Sequence, residues 1–415
     1  MKVIIKYVKL DQKRGRCMEF ETLKKSHLKR NILIAVVVVL VISAIILQFT
    51  RARYRVTESI PLVNGTINYT APDLNVLAIY VDGVSTDTLP TGNYELTSAS
   101  YCEIDGERAE VTLSYDSSTQ TLTVAPFTTR GTKCTLYFEE ANSAVDIIEG
   151  LYEDNQDILA YDGTADNNLR YIGEDPANYV YFNCSDYNNP SSSTCELWRI
   201  IGIFDENTHG INGQKLIKLV RIEEIRNSIW GDNNDWSSSS LQETLNGAYL
   251  NRTGSYSSTG ITSATRNMIE TVTWKLGGRP SANATAATFY TAERGTAVSS
   301  GNPTEWEGKI ALIYPSDYGF ATIGSSTQRD TCLRNNLGNW NSYSYCYNND
   351  WLNDAGWTLT PDSLESNMAF DVSSSNLRYY GAYNMSSARP SLYLTSEVII
   401  SGGAGTESDP YTLNI

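Results

Sequence analysis

Residues 335–351 read NNLGNWNSYSYCYNNDW, and thirteen of these seventeen are Asn, Ser, Tyr or Trp. Such side chains both stack and hydrogen-bond, and they do so with few rotors to freeze, which is why antibody loops are rich in them. Aromatic faces can also cover the apolar side of a sugar ring while amides reach its hydroxyls, so the composition suits glycan and protein ligands alike. Trp340, Tyr343, Tyr345, Tyr347, Asn349, Trp351, Asn353 and Trp357 are predicted to form one wall of a ligand-binding site. Asn376, Tyr379, Tyr380, Tyr383 and Asn384 are predicted to form the other. The competing expectation is an Asn-rich segment that only caps its domain.

Catalytic chemistry lacks parts. The chain has two histidines, His27 and His209, and His209 sits in the polar stretch DENTHGING, where a solvated loop residue is expected rather than a base. No G-x-S-x-G elbow, H-E-x-x-H pair or phosphate-binding glycine loop occurs, so serine-triad and zinc-hydrolase mechanisms are not expected. Carboxylates in WGDNNDW (Asp232, Asp235) and NNDWLND (Asp350, Asp354) could give oxygens to calcium. Neither cluster has EF-hand spacing, and Asx residues in loops commonly serve turns, so no resident cofactor is expected.

Seven cysteines divide into Cys17 and three sequence-local pairs: Cys102 with Cys134, Cys184 with Cys195, and Cys332 with Cys346. None has C-x-x-C spacing, and an even number outside a membrane reads as disulfides in an oxidising setting. Six cysteines allow fifteen pairings, of which the local one is the simplest.

The elements that must position these residues follow from length and patterning. At 415 residues the chain exceeds one ordinary domain. The stretch NILIAVVVVLVISAIILQF at 31–49 carries no charge and is close to the ~20 residues that cross a bilayer. Ten Lys and Arg precede it and three follow closely, so the N-terminus is expected in the cytoplasm and the bulk outside. A cleaved signal peptide is the rival reading, but no convincing A-x-A-like site follows Phe49. Residues 51–415 hold 22 basic and 44 acidic side chains, without a basic stripe, so nucleic acid is not an expected partner.

The resulting plan is a cytoplasmic basic segment (1–30), a transmembrane signal anchor (31–50), a β-rich spacer (51–139), a connector (140–160) and a larger α+β domain (161–415). Period-two alternation marks NVLAIYVDG (75–83) and the hairpin AEVTLSYDSSTQTLTVAPF (109–127) in the spacer. In the connector, Val145, Ile148 and Leu151 have helical spacing. The last domain shows strands at 179–184, 197–205, 215–225, 309–322, 356–361, 367–374, 376–384 and 389–400. It also shows two helices: one opened by a Ser240–Glu243 capping box, and one over residues 261–272.

The order LWRIIGI, IWGDNNDWSSSSLQETLNGAYLN, WLNDAGWTLTP and YYGAYNMSSARPSLYLTSEVII, with the ending DPYTL, resembles a domain of surface proteins from gut Firmicutes. That domain is related to C-type-lectin-like folds of the formylglycine-generating-enzyme type. The Arg-Pro-containing strand and the Asn/Tyr/Ser-rich loops are further similar to the variable proteins of diversity-generating retroelements. The resemblance implies a C-type-lectin-like C-terminal domain whose loops recognise or adhere to a ligand. A structural envelope or stalk protein is the alternative. A copper–cysteine oxidase, the enzymatic activity of the wider fold type, would need free thiols at Cys332 and Cys346. The expected partners are therefore the membrane, through residues 31–50, and a glycan or protein ligand.

Overall fold

A computed structural model describes residues 60–62, 65–67, 75–91, 94–116, 120–125, 132–140, 142–225, 227–324 and 326–414. The basic segment and the signal anchor lie outside the described residues. Among the described residues no helix is long and apolar enough to cross a membrane.

In the spacer, a six-stranded sheet runs Val84–Thr86, Asn75–Val81, Lys133–Glu140, Tyr101–Ile104, Glu107–Arg108, with Tyr94–Leu96 also paired to Lys133–Glu140. The predicted hairpin is present, Thr112–Asp116 pairing antiparallel with Thr121–Ala125. Alternation here has a visible cause: Leu122 and Val124 point into the core while Thr123 and Ala125 point out. Cys102 and Cys134 face each other across paired strands and are disulfide-bonded, closing a small core with Ile79, Leu136 and Phe138.

The larger core is built on a seven-stranded sheet in which all the pairings are antiparallel. Its path is Leu159–Tyr161, Leu169–Tyr171, Glu196–Phe204, Leu216–Arg221, Ser391–Tyr393 and Ile310–Ala311, and Tyr179–Phe182 pairs separately with Glu196–Phe204. Glu196–Phe204 is almost continuously apolar because elements cover both of its faces, so it shows no alternation. At Gly202 a Cβ would come within 2.2 Å of the Leu169 carbonyl oxygen, so only glycine lets the neighbouring strand approach. The helix Ala144–Gly150, in the segment read as a connector, packs into this same core through Ala144 and Ile148. A three-stranded sheet, Gly356–Pro361, Met368–Ser373 and Asn376–Gly381, lies apart from the first. The architecture is α+β, as the sequence implied.

Several elements differ from their sequence reading. The strand expected over 309–322 stops at Ala311, and Pro315–Phe320 is a helix. Pro315 stands at its first turn, and Asp317 accepts the Tyr314 N–H, a start signal that outweighs the apolar run before it. The cap of the helix at 240 is Ser239, whose side chain accepts from Gln242 N, and not Ser240. Leu241, Leu245 and Tyr249 are nevertheless buried on one face. The helix expected over 261–272 is only Ser263–Asn267, capped by Thr262, because Val272 already belongs to a strand.

His209 is not a solvated loop residue. It is fully buried, 5.5 Å from the ring of Tyr393, with Nδ1 accepting from the Ile211 N–H and Nε2 3.2 Å from the Phe204 carbonyl. Only the neutral ring can accept at one nitrogen and donate at the other. Burial pushes its pKa down to about 4, against weaker pulls from the Phe204 carbonyl, Asp205 and Glu206. The unfolded chain protonates this ring near its ordinary value, so between that pH and about 4 the unfolded state binds more protons. Stability is therefore present in full at neutral pH and lost on acidification, up to about 3 kcal/mol from this residue. Buried Glu293, raised to about 6, acts oppositely: its contribution is present at low pH and lost as pH rises. We expect His209→Gln to flatten the acid side of the stability profile, measured as urea midpoints between pH 7 and pH 4. An unchanged slope would show that His209 is not the titrating group.

Candidate functional site

The three-stranded sheet is the scaffold of the second predicted wall. Trp357, Asp371 and Arg378 sit side by side in register across its strands. Asp371, fully buried, accepts Arg378 Nε at 2.7 Å and Nη2 at 3.0 Å, and also Ser386 Oγ at 3.0 Å. The hydrogen bonds that Arg378 donates to Asp371 outweigh its desolvation and raise its pKa. This fork lays the guanidinium 4.6 Å over the ring of Tyr380, whose centroid is 5.9 Å from that of Trp357. Tyr380 is thereby fixed from beside and above while remaining half-buried.

Beyond this stack the chain displays large side chains. Tyr379 is 53% exposed on the edge strand, and Tyr383 is 56% exposed in the tight turn that Asn384 N closes onto Gly381 O. Met385 follows at 70% exposure on a short strand paired to Ser228–Ile229. Asn384 and Asn376 are half-buried, and Asn376 Nδ2 donates to the Gly338 carbonyl at 3.1 Å, tying this wall to the first.

The first wall divides. Residues 337–342 form a 3-10 turn and Ser344–Tyr347 one helical turn, clamped by the Cys332–Cys346 disulfide. Trp340 is fully buried, its ring 4.8 Å from that of Tyr318, and Trp357 is fully buried with Nε1 on the Ser228 carbonyl. Both are core residues and not ligand contacts. Six of the eight tryptophans are buried to 1% exposure or less, so indole here is chiefly packing material. Tyr343, Tyr345 and Tyr347 are half-buried, resting on the core with one side free, and the first two meet edge-to-face at 6.1 Å. Asn349 and Asn353 are half-buried; the Asn349 carbonyl accepts from Ile323 N, and Asn353 Oδ1 is buried without a hydrogen-bond partner in the structure. Trp351, 9% exposed, does not join this wall but lines a separate cleft beside Arg199.

Asp235 and Asp350 serve turns, and Asp354 ties two loops together. Asp235 accepts from Ser237 N, Ser237 Oγ and Ser238 Oγ, Asp350 from Leu352 N, and Asp354 from Ser374 N. Asp232 is exposed, and among the described residues no cluster of three or more His, Cys, Asp or Glu is placed to hold a metal ion. All three local cysteine pairs are bonded, so Cys332 and Cys346 are not the free thiols that copper chemistry would use.

Comparison of the chain with family models, with curated proteins and with solved structures returns no match.

Sequence reasoning missed Arg378 and Asp371 beside the tyrosines, and Tyr179, Arg199 and Arg389 around Trp351. Arg378 had a usable signal, since a cation two positions from Tyr380 on a strand shares its face. Asp371 faces Arg378 from the neighbouring strand, and the three residues around Trp351 come together only through non-local pairing.

Proposed function

We propose that this chain is a ligand-recognition or adhesion protein, held at the cell surface by residues 31–50, whose C-terminal domain follows the C-type-lectin-like plan. The ligand surface consists of Tyr343, Tyr345, Tyr347, Tyr379, Tyr380 and Tyr383 with Asn376 and Asn384. Trp340 and Trp357 support it from within. One observation carries the reading: Tyr379 and Tyr383 stand more than half exposed on a fold that buries most of its other large rings. Neighbouring exposed aromatic surface of this kind marks interaction sites, and tyrosine is among the side chains enriched at contact hot spots. The three disulfides suit an oxidising exterior.

The test is binding of the full-length chain to glycan and protein arrays, with Tyr379→Ala/Tyr383→Ala as the comparison. Loss of about 2 kcal/mol or more, roughly a thirtyfold weakening of the selected ligand, is expected. Equal binding by the double variant would remove these tyrosines from the site. Self-association rising with concentration, with no array ligand, would favour an envelope or stalk role instead.

A further inference from the structure

The edge of the large sheet and the Trp351 loop enclose a cleft of about 380 Å³, within the range of small-molecule sites. The Arg199 guanidinium carbon lies over two aromatic rings there, 4.0 Å from the Tyr179 centroid and 4.8 Å from that of Trp351. Its Nε donates to Asn178 Oδ1 at 2.7 Å and its Nη2 to Asp175 Oδ1 at 2.9 Å, so its position is fixed. Arg389 enters the same cleft and donates Nε to the Arg221 carbonyl at 2.8 Å. Arg221 itself is held by Glu196 at 2.9 Å. Among the described residues no carboxylate lies within 4.0 Å of the Arg389 guanidinium.

Arg389 is thus a cation with an open hydrogen-bonding edge, next to a second cation. Burial first, and then the repulsion of Arg199, push its pKa down to about 10, so an anion arriving between the two would be stabilised by both. A guanidinium offers a carboxylate two parallel N–H donors, the geometry that makes this pair stronger than a point charge.

A plain anion meets opposition. Glu223 and Glu407 line the same cleft, both exposed and, among the described residues, neither ion-paired. The whole chain is acidic as well, at −15. A ligand that carries a cation beside its carboxylate satisfies both halves of this charge pattern, whereas a simple acid satisfies only one. We propose that the cleft binds a free α-amino acid, with its carboxylate on Arg389, its ammonium toward Glu223 and Glu407, and its side chain against Trp351. The site is separate from the tyrosine surface and does not depend on it.

Calorimetric titration of the full-length chain with L-alanine, D-alanine and L-phenylalanine tests this, with their methyl esters, their N-acetyl derivatives and N-acetylneuraminate as comparisons. At least one free amino acid should bind with a Kd below about 1 mM, and its ester and N-acetyl form should each bind about tenfold more weakly or worse. Arg389→Gln should abolish binding. Because Arg389 also holds a backbone carbonyl, a second variant is needed that touches only exposed groups. Glu223→Gln/Glu407→Gln should weaken the free amino acid about tenfold and leave the N-acetyl form unchanged. No heat with any of the three amino acids, equal binding of N-acetylated compounds or N-acetylneuraminate, or wild-type affinity in the two variants would each overturn the assignment.

Discussion

Replacing Asp317 by Asn is expected to lower the stability of the C-terminal core by about 3–5 kcal/mol, the range found when one partner of a buried ion pair is removed. Asp317 is fully buried and holds two cations at once: Lys218 Nζ at 2.6 Å and Arg170 Nη1 at 2.7 Å. Arg170 has a second carboxylate, Asp162 at 2.8 Å, and would stay paired. Among the described residues Lys218 has no second carboxylate within 4.0 Å. Its ammonium lies among the rings of Tyr314, Trp274, Phe204 and Tyr393, 4.4 to 5.5 Å from their centroids. Those faces attract a cation but cannot accept its hydrogen bonds as a carboxylate does.

The same network predicts how the deficit changes with pH. Burial lowers the pKa of Lys218 to about 8 even with Asp317 beside it. Burial also opposes ionisation of Asp317, yet the two cations hold its carboxyl below the ordinary range. Without the carboxylate, Lys218 loses its proton more readily in the folded state, while the unfolded chain keeps it. The unfolded state then binds more protons from below the wild-type value of about 8 upward, so the deficit of Asp317→Asn should narrow as pH rises toward 8 and stay level above it, where the wild type gains in parallel. Adding Lys218→Met should restore part of the loss, because it removes the orphaned charge. Urea unfolding followed by tryptophan fluorescence reads this domain alone, since all eight tryptophans lie between residues 198 and 357. A deficit below about 1 kcal/mol that did not vary with pH would mean that Lys218 finds another partner.

The second large effect separates core from surface within one segment. Trp340→Ala should cost about 3–5 kcal/mol, as for a buried indole whose site cannot collapse. Its ring is wholly enclosed against Tyr318, and the disulfide at Cys346 restrains the turn around it. Trp340→Phe keeps much of that contact and should cost far less. Tyr379→Ala, at an exposed site, should stay within about 0.5 kcal/mol of the parent. The same unfolding measurement compares all three. If Trp340→Ala were as stable as Tyr379→Ala, the indole would not be part of the core.

This contrast explains how far residues 335–351 could be read. Their composition identified amphipathic rings, but Trp340 and Tyr345 look equally suited to contact when only composition is considered. The segment folds into a 3-10 turn and a single helical turn, too short to impose a periodicity that assigns one face to the interior. Tyr318, Ala282 and Asn376 decide the matter: the first covers Trp340, while the other two hold Gly338 through backbone and side-chain contacts.

The regular elements were legible because their cause is local. Glu196–Phe204 carries a short apolar run, and the hairpin Thr112–Asp116 with Thr121–Ala125 and the helix Ala144–Gly150 carry their periodicity, all within a few residues. Cysteines spaced 32, 11 and 14 residues apart pair within their own neighbourhoods, and that too was readable. Tertiary structure decided what depends on residues far apart in the chain. Asp162, Arg170, Lys218 and Asp317 form one buried network, and Arg199 and Arg389 share one cleft across 190 positions. Charged side chains look solvent-facing in a sequence because isolated burial is so costly. They enter the interior only where the fold supplies an opposite charge, and no local pattern records where that charge comes from.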